Sequence, residues 1–277
     1  MAHFFKTLLV AVLFIVASSA QSQTLKVVSF NIRYDSYNKI DGENGWDYRK
    51  DAVVRMIKDE QPDAIGLQEA LQHQLEYLDQ QLRDYRRVGV GRDDGVGEGE
   101  FMAIYYNVNR LELLSVKTRW LSETPLTPSL GWDAACRRTV TIAHFRDKET
   151  GKEFSYYNTH LDHVGKTARL NGVRLISDLA ACTSKRMPVI VGGDMNTTID
   201  DTIFNQFYEV GLESARSMTR RASNAITYNA FGKEQGAVID HFFVKGADVR
   251  CFRTLDGNYG VPYISDHYPV AIILRLN

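Results

Sequence analysis

Pro188-Val189-Ile190-Val191-Gly192-Gly193-Asp194-Met195-Asn196 decides the architecture: an apolar run that stops at two glycines and hands the chain to an acid and an amide. The run is short and β-branched, so it reads as a central buried strand. Before it, Lys166–Ser184 carries Leu170, Val173, Leu175, Ile176 and Leu179 at helical spacing, after strands at Arg138–Phe145 and Phe154–Leu161. Beyond it, strands are predicted at Ala237–Lys245, Asp248–Thr254 and Pro269–Leu276.

The N-terminal half repeats the alternation. Leu25–Tyr34 and Asp63–Gln68 read as strands, and Tyr48–Glu60 as a helix that Pro62 ends. Leu71, Leu75, Leu78 and Leu82 form a second helical stripe. An acidic, glycine-rich stretch, Gly91–Glu100, reads as a mobile surface loop before strands at Phe101–Tyr106 and Leu111–Arg119. Three or four helices among about ten strands predict a layered α/β (α+β) fold in which helices cover sheets. No linker or repeat interrupts residues 24–277, which are expected to form a single domain.

Composition narrows the function. At 44% hydrophobic and 24% charged residues, the 277-residue chain fits neither a disordered nor a membrane-bundle class. Lys6, the apolar run Leu8–Ala17 and the small residues Ser18, Ser19 and Ala20 make residues 1–20 a signal peptide, cleaved near residues 20–23. The protein is therefore expected to be secreted or periplasmic, without a transmembrane segment in the mature chain, and monomeric. Cleavage leaves 32 basic and 34 acidic side chains, a charge of −2. That balance argues against a grip on long nucleic acid, which favours a basic excess. Cys136, Cys182 and Cys251 match no zinc spacing.

Polar residues gather where apolar runs stop. Asn31 closes Val27–Phe30, Glu69 closes Ala64–Leu67, and Asn158-Thr159-His160 follows Phe154–Tyr157. Asp194 and Asn196 follow Val189–Val191, Asp240 follows Ala237–Ile239, and Ser265-Asp266-His267 precedes the last strand. Singly, each has a structural alternative: Glu69 as a helix cap, Asn31 as a backbone bridge, His160 or His267 as a satisfied core histidine. Together they form an oxygen-rich set that suits Mg²⁺ or Mn²⁺, with Ca²⁺ possible, and so in-line attack of water on phosphorus.

Ser29-Phe30-Asn31, Leu67-Gln68-Glu69, Asn158-Thr159-His160, Gly192–Asn196, Ile239-Asp240-His241 and Ser265–Val270 together resemble the endonuclease/exonuclease/phosphatase, or DNase I-like, superfamily. Asn44-Gly45-Trp46, Gly89–Gly95 and Gly131-Trp132-Asp133 look like its secreted bacterial and fungal branch. The resemblance implies a four-layer sandwich, two packed mixed β-sheets flanked by helices, with the site at one edge.

It also implies roles. Glu69 and Asn31 would hold the metal, and Asp266 would reach it directly or through water. Asp194 would orient or deprotonate the water, and Asn196 would help fix it or the phosphate. His267, oriented by Asp240, would stabilise charge developing on phosphoryl oxygens, and Asn158 and His160 would contact them. Arg33 stands where several DNA-repair relatives carry an acid, and it could bind phosphate, as could Arg137 and Arg138. Trp46 and Trp132 are candidates for stacking on a base or sugar ring.

The leading expectation is hydrolysis of a phosphomonoester or phosphodiester on a small molecule, sugar or lipid head group. A secreted DNA or RNA nuclease is the alternative with the same chemistry. A non-catalytic binding module on the same fold is the alternative from another class.

Overall fold

A computed structural model describes residues 24–37 and 39–277; the expected signal peptide lies outside the described residues. In chain order the main elements are β1 (Leu25–Asn31), α1 (Trp46–Glu60), β2 (Ala64–Ala70), α2 (Gln72–Gln81), β3 (Tyr85–Val88), β4 (Phe101–Asn107), β5 (Leu111–Trp120) and β6 (Thr139–Asp147). They continue as β7 (Glu153–His160), α3 (Lys166–Thr183), β8 (Val189–Asp194), α4 (Asn205–Glu209), β9 (Glu213–Ser214), β10 (Asp240–Lys245), β11 (Ala247–Thr254) and β12 (Val270–Leu276). The strands form two six-stranded mixed sheets, ordered β11-β12-β1-β2-β4-β3 and β5-β6-β7-β8-β10-β9.

Three apolar cores show why the fold has four layers. Val53, Met56 and Ile57 of α1 and Leu75 and Leu78 of α2 pack on Val28, Phe30, Ile65 and Leu67 of the first sheet. Val173 and Ile176 of α3 and Phe207 of α4 pack on Tyr157, Val189, Val191 and Phe243 of the second. Between the sheets lie Val27, Ala64, Phe154, Tyr156, Ile190, Phe242, Val244 and Ile272. Neighbouring residues of one strand thus serve different cores, as the period-2 geometry of a strand requires.

Following only the positions that face the space between the sheets locates the site. Leu25 and Val27 give way to Ser29 and Asn31; Ala64 gives way to Gly66 and Gln68. Tyr156 gives way to Asn158 and His160, Ile190 to Gly192 and Asp194, and Phe242 to Asp240. Every series turns polar towards the same edge, so the interlayer is a dry core at one end and a polar floor at the other.

Register explains the common edge. β1 runs parallel to β2, and β7 parallel to β8, so all four end together. β10 is antiparallel to β8 with Asp240 opposite Asp194, and β12 is antiparallel to β1 with Val270 opposite Ser29. The residues that open β10 and precede β12 therefore meet the residues that close β1, β2, β7 and β8. Gly66 permits the tightest inter-sheet approach: a Cβ there would fall 2.5 Å from Tyr156 Oη and 2.6 Å from Asn158 Oδ1.

Sequence patterning misses β3, β9 and α4, which are too short or too exposed to show a period. It also does not show how Gly91–Glu100 is held. This stretch folds on itself: Asp94 Oδ1 accepts the N–H groups of Val96, Gly97 and Glu98, and Arg92 N–H donates to the Glu100 carbonyl at 3.1 Å. The Trp120 indole N–H holds the Arg92 carbonyl at 2.7 Å. Among the described residues, no helix is long and apolar enough to cross a membrane.

Candidate active site

At the polar edge opens a cleft of about 660 Å³, lined by Arg33, Tyr34, Glu69, Arg92, Glu100, Cys136, Arg138, His160, His163, Asp194, Asn196, Tyr228, Ile239, Asp266 and His267. Three lining residues leave their strands through left-handed backbone: Arg33 (φ 57°), Glu69 (φ 62°) and Asn196 (φ 50°). For a residue with a Cβ this costs on the order of 1 kcal/mol, and it turns the side chain out of the ladder. At Glu69 the cause is visible. The β2–β4 register slips between Leu67 and Ala70, and this bulge aims the carboxylate into the cleft.

His267 Nδ1 lies 2.9 Å from Asp240 Oδ2, and its Nε2 lies 3.6 Å from Asp194 Oδ2. Burial opposes its positive charge, but the carboxylates of Asp240 and Asp194 outweigh that cost and push its pKa up to about 10. His267 is thus an imidazolium at neutral pH. Burial also lifts Asp194, to about 7, against the pull of His267. Burial tends to raise Glu69 as well, yet the Asn31 amide, Arg33 and His267 together hold it below the ordinary carboxylate range.

His160 behaves oppositely to His267. Burial, reinforced by Arg138 and Arg92, keeps it neutral. Its Nε2 lies 2.9 Å from Asn196 Nδ2, whose other proton goes to the Leu161 carbonyl, so the imidazole accepts from the amide. Its buried Nδ1 has no partner among the described residues.

Three groupings could hold a cation. Asp194, Asp240 and His267 present ligand atoms within 4.8 Å of one another, as do Cys136, Asp162 and His163, where Arg138 already bonds Asp162 and His163. At the first, the His267 Nδ1 proton is held by Asp240 at 2.9 Å, so a metal there would have to displace it. The oxygens of Glu69 and Asp266 offer a better fit. Arg33 Nη1 stands 3.9 Å from Glu69 Oε2 and 3.7 Å from Asp266 Oδ2, at ion-pair range but beyond hydrogen-bond distance. These two carboxylates share a cation that neither grips, and an all-oxygen pair suits a hard divalent ion.

Several expected residues sit elsewhere. Asn31 is not a lining group. Its amide donates to Glu69 Oε1 at 2.9 Å and to Asp194 Oδ2 at 3.0 Å while its oxygen accepts Arg33 N–H, so it orients two carboxylates. Asn158 lies below the cleft, between the sheets. It donates to the carbonyls of Leu67 and Ala103 and accepts from Gln68 at 2.6 Å, filling the gap the bulge leaves. All its polar atoms are committed, so it is not placed to reach phosphate. Arg137 is absent from the lining and pairs with Asp93 at the surface.

Arg33 and Arg138 do line the cleft, and each is already tied. Arg33 forks onto Asp41 at 3.1 and 3.2 Å, and Arg138 bonds Asp162 and His163 Nδ1. Trp46 is buried in the helix-side core and cannot stack on a ligand, and Trp132 lies outside the lining. Glu69 is no helix cap: besides Asn31 it accepts Tyr34 N–H.

Sequence reasoning missed Arg92, Glu100, Cys136, His163, Tyr34 and Tyr228. Glu100 and Arg138 had a readable signal, because each immediately precedes a strand antiparallel to a site-bearing one. Arg49 was also missed. Fully buried in α1, it donates to the carbonyls of Ile32, Arg33 (2.8 Å), Asn44 (3.0 Å) and Ile264 (3.4 Å), joining the segment after β1 to the one before β12.

Comparison with known proteins places this arrangement. The endonuclease/exonuclease/phosphatase family profile matches residues 28–267. An endonuclease/exonuclease/phosphatase from Bacteroides vulgatus superposes with a TM-score of 0.86 at 35% identity, over 92% of this chain and 99% of that one. The mannosyl-6-phosphatase of Bacteroides thetaiotaomicron superposes with a TM-score of 0.84 at 33% identity, over 90% and 99%. An uncharacterized protein of Acanthamoeba polyphaga mimivirus is 28% identical over 271 residues, 91% of this chain and 100% of its own.

Proposed function

The chain belongs to the endonuclease/exonuclease/phosphatase family, and from that premise we propose that it is a divalent-metal-dependent phosphoesterase acting on a small phosphorylated molecule, a sugar phosphate foremost. The observation that carries the reading is the pairing of an imidazolium, His267, with a carboxylate, Asp194, whose pKa is lifted to about 7. One group is held charged to receive an anion and the other is poised to accept a proton at neutral pH.

In this mechanism Asp194 takes the proton of the attacking water. The Asn196 backbone N–H fixes Asp194 Oδ1 at 2.9 Å, leaving Oδ2 towards His267. His267, held by Asp240, neutralises charge growing on the phosphoryl oxygens. Neutral His160 orients the Asn196 amide through Nε2. Glu69 and Asp266 would hold Mg²⁺ or Mn²⁺, with Asn31 fixing Glu69; the ion would polarise the phosphoryl group as a Lewis acid.

The sugar follows from two supports. A similar protein over nearly the whole chain is a mannosyl-6-phosphatase. An acid–base pair, Glu100 and Arg92, also stands in the cleft wall, without the excess positive charge that a polyanion would call for. We further propose that the N-terminal segment directs export, so that the enzyme works outside the cytoplasm.

The test is a panel of sugar, lipid head-group, aryl and nucleic-acid phosphoesters assayed with Mg²⁺ or Mn²⁺. Hydrolysis of a small ester is expected, abolished by chelation and reduced at least ~10³-fold in His267→Ala and Asp194→Asn. Turnover that survives both substitutions would sink the mechanism, and turnover confined to DNA or RNA would replace the substrate class.

A further inference from the structure

We propose that the ion pair Arg92–Glu100 is the subsite that binds the hydroxyl groups of the substrate's alcohol, a polyol or sugar ring, through a carboxylate acceptor and a guanidinium donor set side by side. The proposal rests on the phosphoesterase reading and adds which wall of the cleft takes the leaving group.

Arg92 Nη1 meets Glu100 Oε2 at 2.6 Å, with the two side chains only 13% and 15% exposed, and both line the cleft. Of the cleft's arginines, Arg33 is forked onto Asp41 and faces the Glu69–Asp266 pair, and Arg138 is bonded to Asp162 and His163. Arg92 is bonded to Glu100 through Nη1, which leaves further guanidinium N–H groups beside that carboxylate. Glu100 has one carboxylate oxygen outside the pair. Vicinal hydroxyls are both donors and acceptors, so a carboxylate oxygen beside guanidinium N–H groups satisfies them in two directions at once.

Arg92's positive charge is already matched by Glu100 at 2.6 Å, so the pair offers a phosphate dianion no net attraction, whereas neutral hydroxyls need none. The wall is also rigid. Asp94 ties the loop through three backbone N–H groups, and Trp120 and the Arg92–Glu100 backbone bond close it. A preorganised pair loses little entropy on binding. The rings in the lining do not make a nucleobase platform: Arg33 packs on Tyr34 at 4.6 Å and His267 on Tyr228 at 5.1 Å.

The experiment compares kcat/KM for mannose 6-phosphate and for phenyl phosphate in the metal-loaded wild type, Glu100→Gln and Arg92→Lys. Glu100→Gln is isosteric and Arg92→Lys keeps the charge while removing the fork of donors, and their thermal unfolding is checked alongside. The wild type is expected to prefer the sugar phosphate, and each substitution to lower the ratio of the two values by about 30-fold, the worth of one to two hydrogen bonds to a charged group. Mannose should inhibit phenyl phosphate hydrolysis competitively in the wild type and no longer in Glu100→Gln.

Equal losses on both substrates would overturn the proposal by placing the pair at the phosphate. An unchanged ratio would overturn it too. A wild type that hydrolyses phenyl phosphate and gains nothing from the sugar would refute the subsite and leave the phosphoesterase standing. Hydrolysis of neither, with another phosphoester turned over, would remove the subsite and leave the reaction class; hydrolysis of no phosphoester at all would remove both.

Discussion

Replacing Asp194 by Asn should make the metal-free protein more stable while removing its activity, because this carboxylate is held ionised at a cost. Burial lifts its pKa from 3.8 to about 7. Between those values the folded state binds a proton that the unfolded state has released, so stability falls as pH rises through the folded pKa. A lift of that size costs on the order of 4 kcal/mol at pH 8, and about 1 kcal/mol at pH 4.5. An amide carries no such charge and is nearly the same shape, though its NH₂ can no longer accept from the Asn31 amide or from His267. With those losses at about 2 kcal/mol, Asp194→Asn should gain about 2 kcal/mol at pH 8 and lose about 1 kcal/mol at pH 4.5.

Urea unfolding in a chelator, followed by tryptophan fluorescence at both pH values, measures the difference. In the metal-loaded forms the gap should narrow, since a ligand bound only by the native wild type stabilises it by mass action. A variant less stable than wild type at pH 8, or a gain equal at both pH values, would show that Asp194 is not a buried charge under tension.

Other consequences are independent. The pH profile of kcat/KM should be bell-shaped, falling below about pH 7 as Asp194 gains its proton and above about pH 10 as His267 loses one; a rate that rises towards pH 5 would reverse the assignment. Asn158→Ala should cost about 3 kcal/mol in urea unfolding, because it leaves the Leu67 and Ala103 carbonyls unpaired. Its kcat/KM at low temperature should stay within about tenfold, whereas a phosphate-binding role predicts a loss of about 100-fold or more. Arg49→Met should weaken Mg²⁺ or Mn²⁺ binding measured by calorimetry and cost about 3 kcal/mol, since buried carbonyls of both site-bearing segments lose their donor. Arg49→Lys, which reaches fewer of them, should recover part of each loss.

Much of this molecule was legible in its residues. Val189–Val191, Val27–Phe30 and Ile65–Leu67 are apolar enough to be recognised as buried strands, and α1, α2 and α3 carry helical stripes. A strand's period of two then ties each polar residue at its end to the interlayer face. Thus Glu69, Asp194, Asp240, Asp266 and His267 could be named as one set, with the resemblance supplying their order of duties. For Asn31 and Asn158 the residues revealed the place, while the bonds each amide makes, to Glu69 and Asp194 or to the Leu67 and Ala103 carbonyls, came only from the fold. Residue type does not reveal whether an amide faces solvent or a broken ladder, and the bulge that decides it is a property of the β2–β4 register.

The acidic loop marks the same boundary. Its composition, glycine among carboxylates, determined that it is polar and turn-rich, and nothing more. Folding then assigned each acid separately: Asp94 to the loop's own N–H groups, Asp93 to Arg137, and Glu100 to Arg92 in the cleft wall. Likewise the sequence alone determined that acids and histidines would collect at strand ends. Only the tertiary structure decided that one histidine is a cation and the other neutral, because both are buried near Asp194 but His267 gives its Nδ1 proton to a second carboxylate, Asp240, whereas His160 accepts from the Asn196 amide.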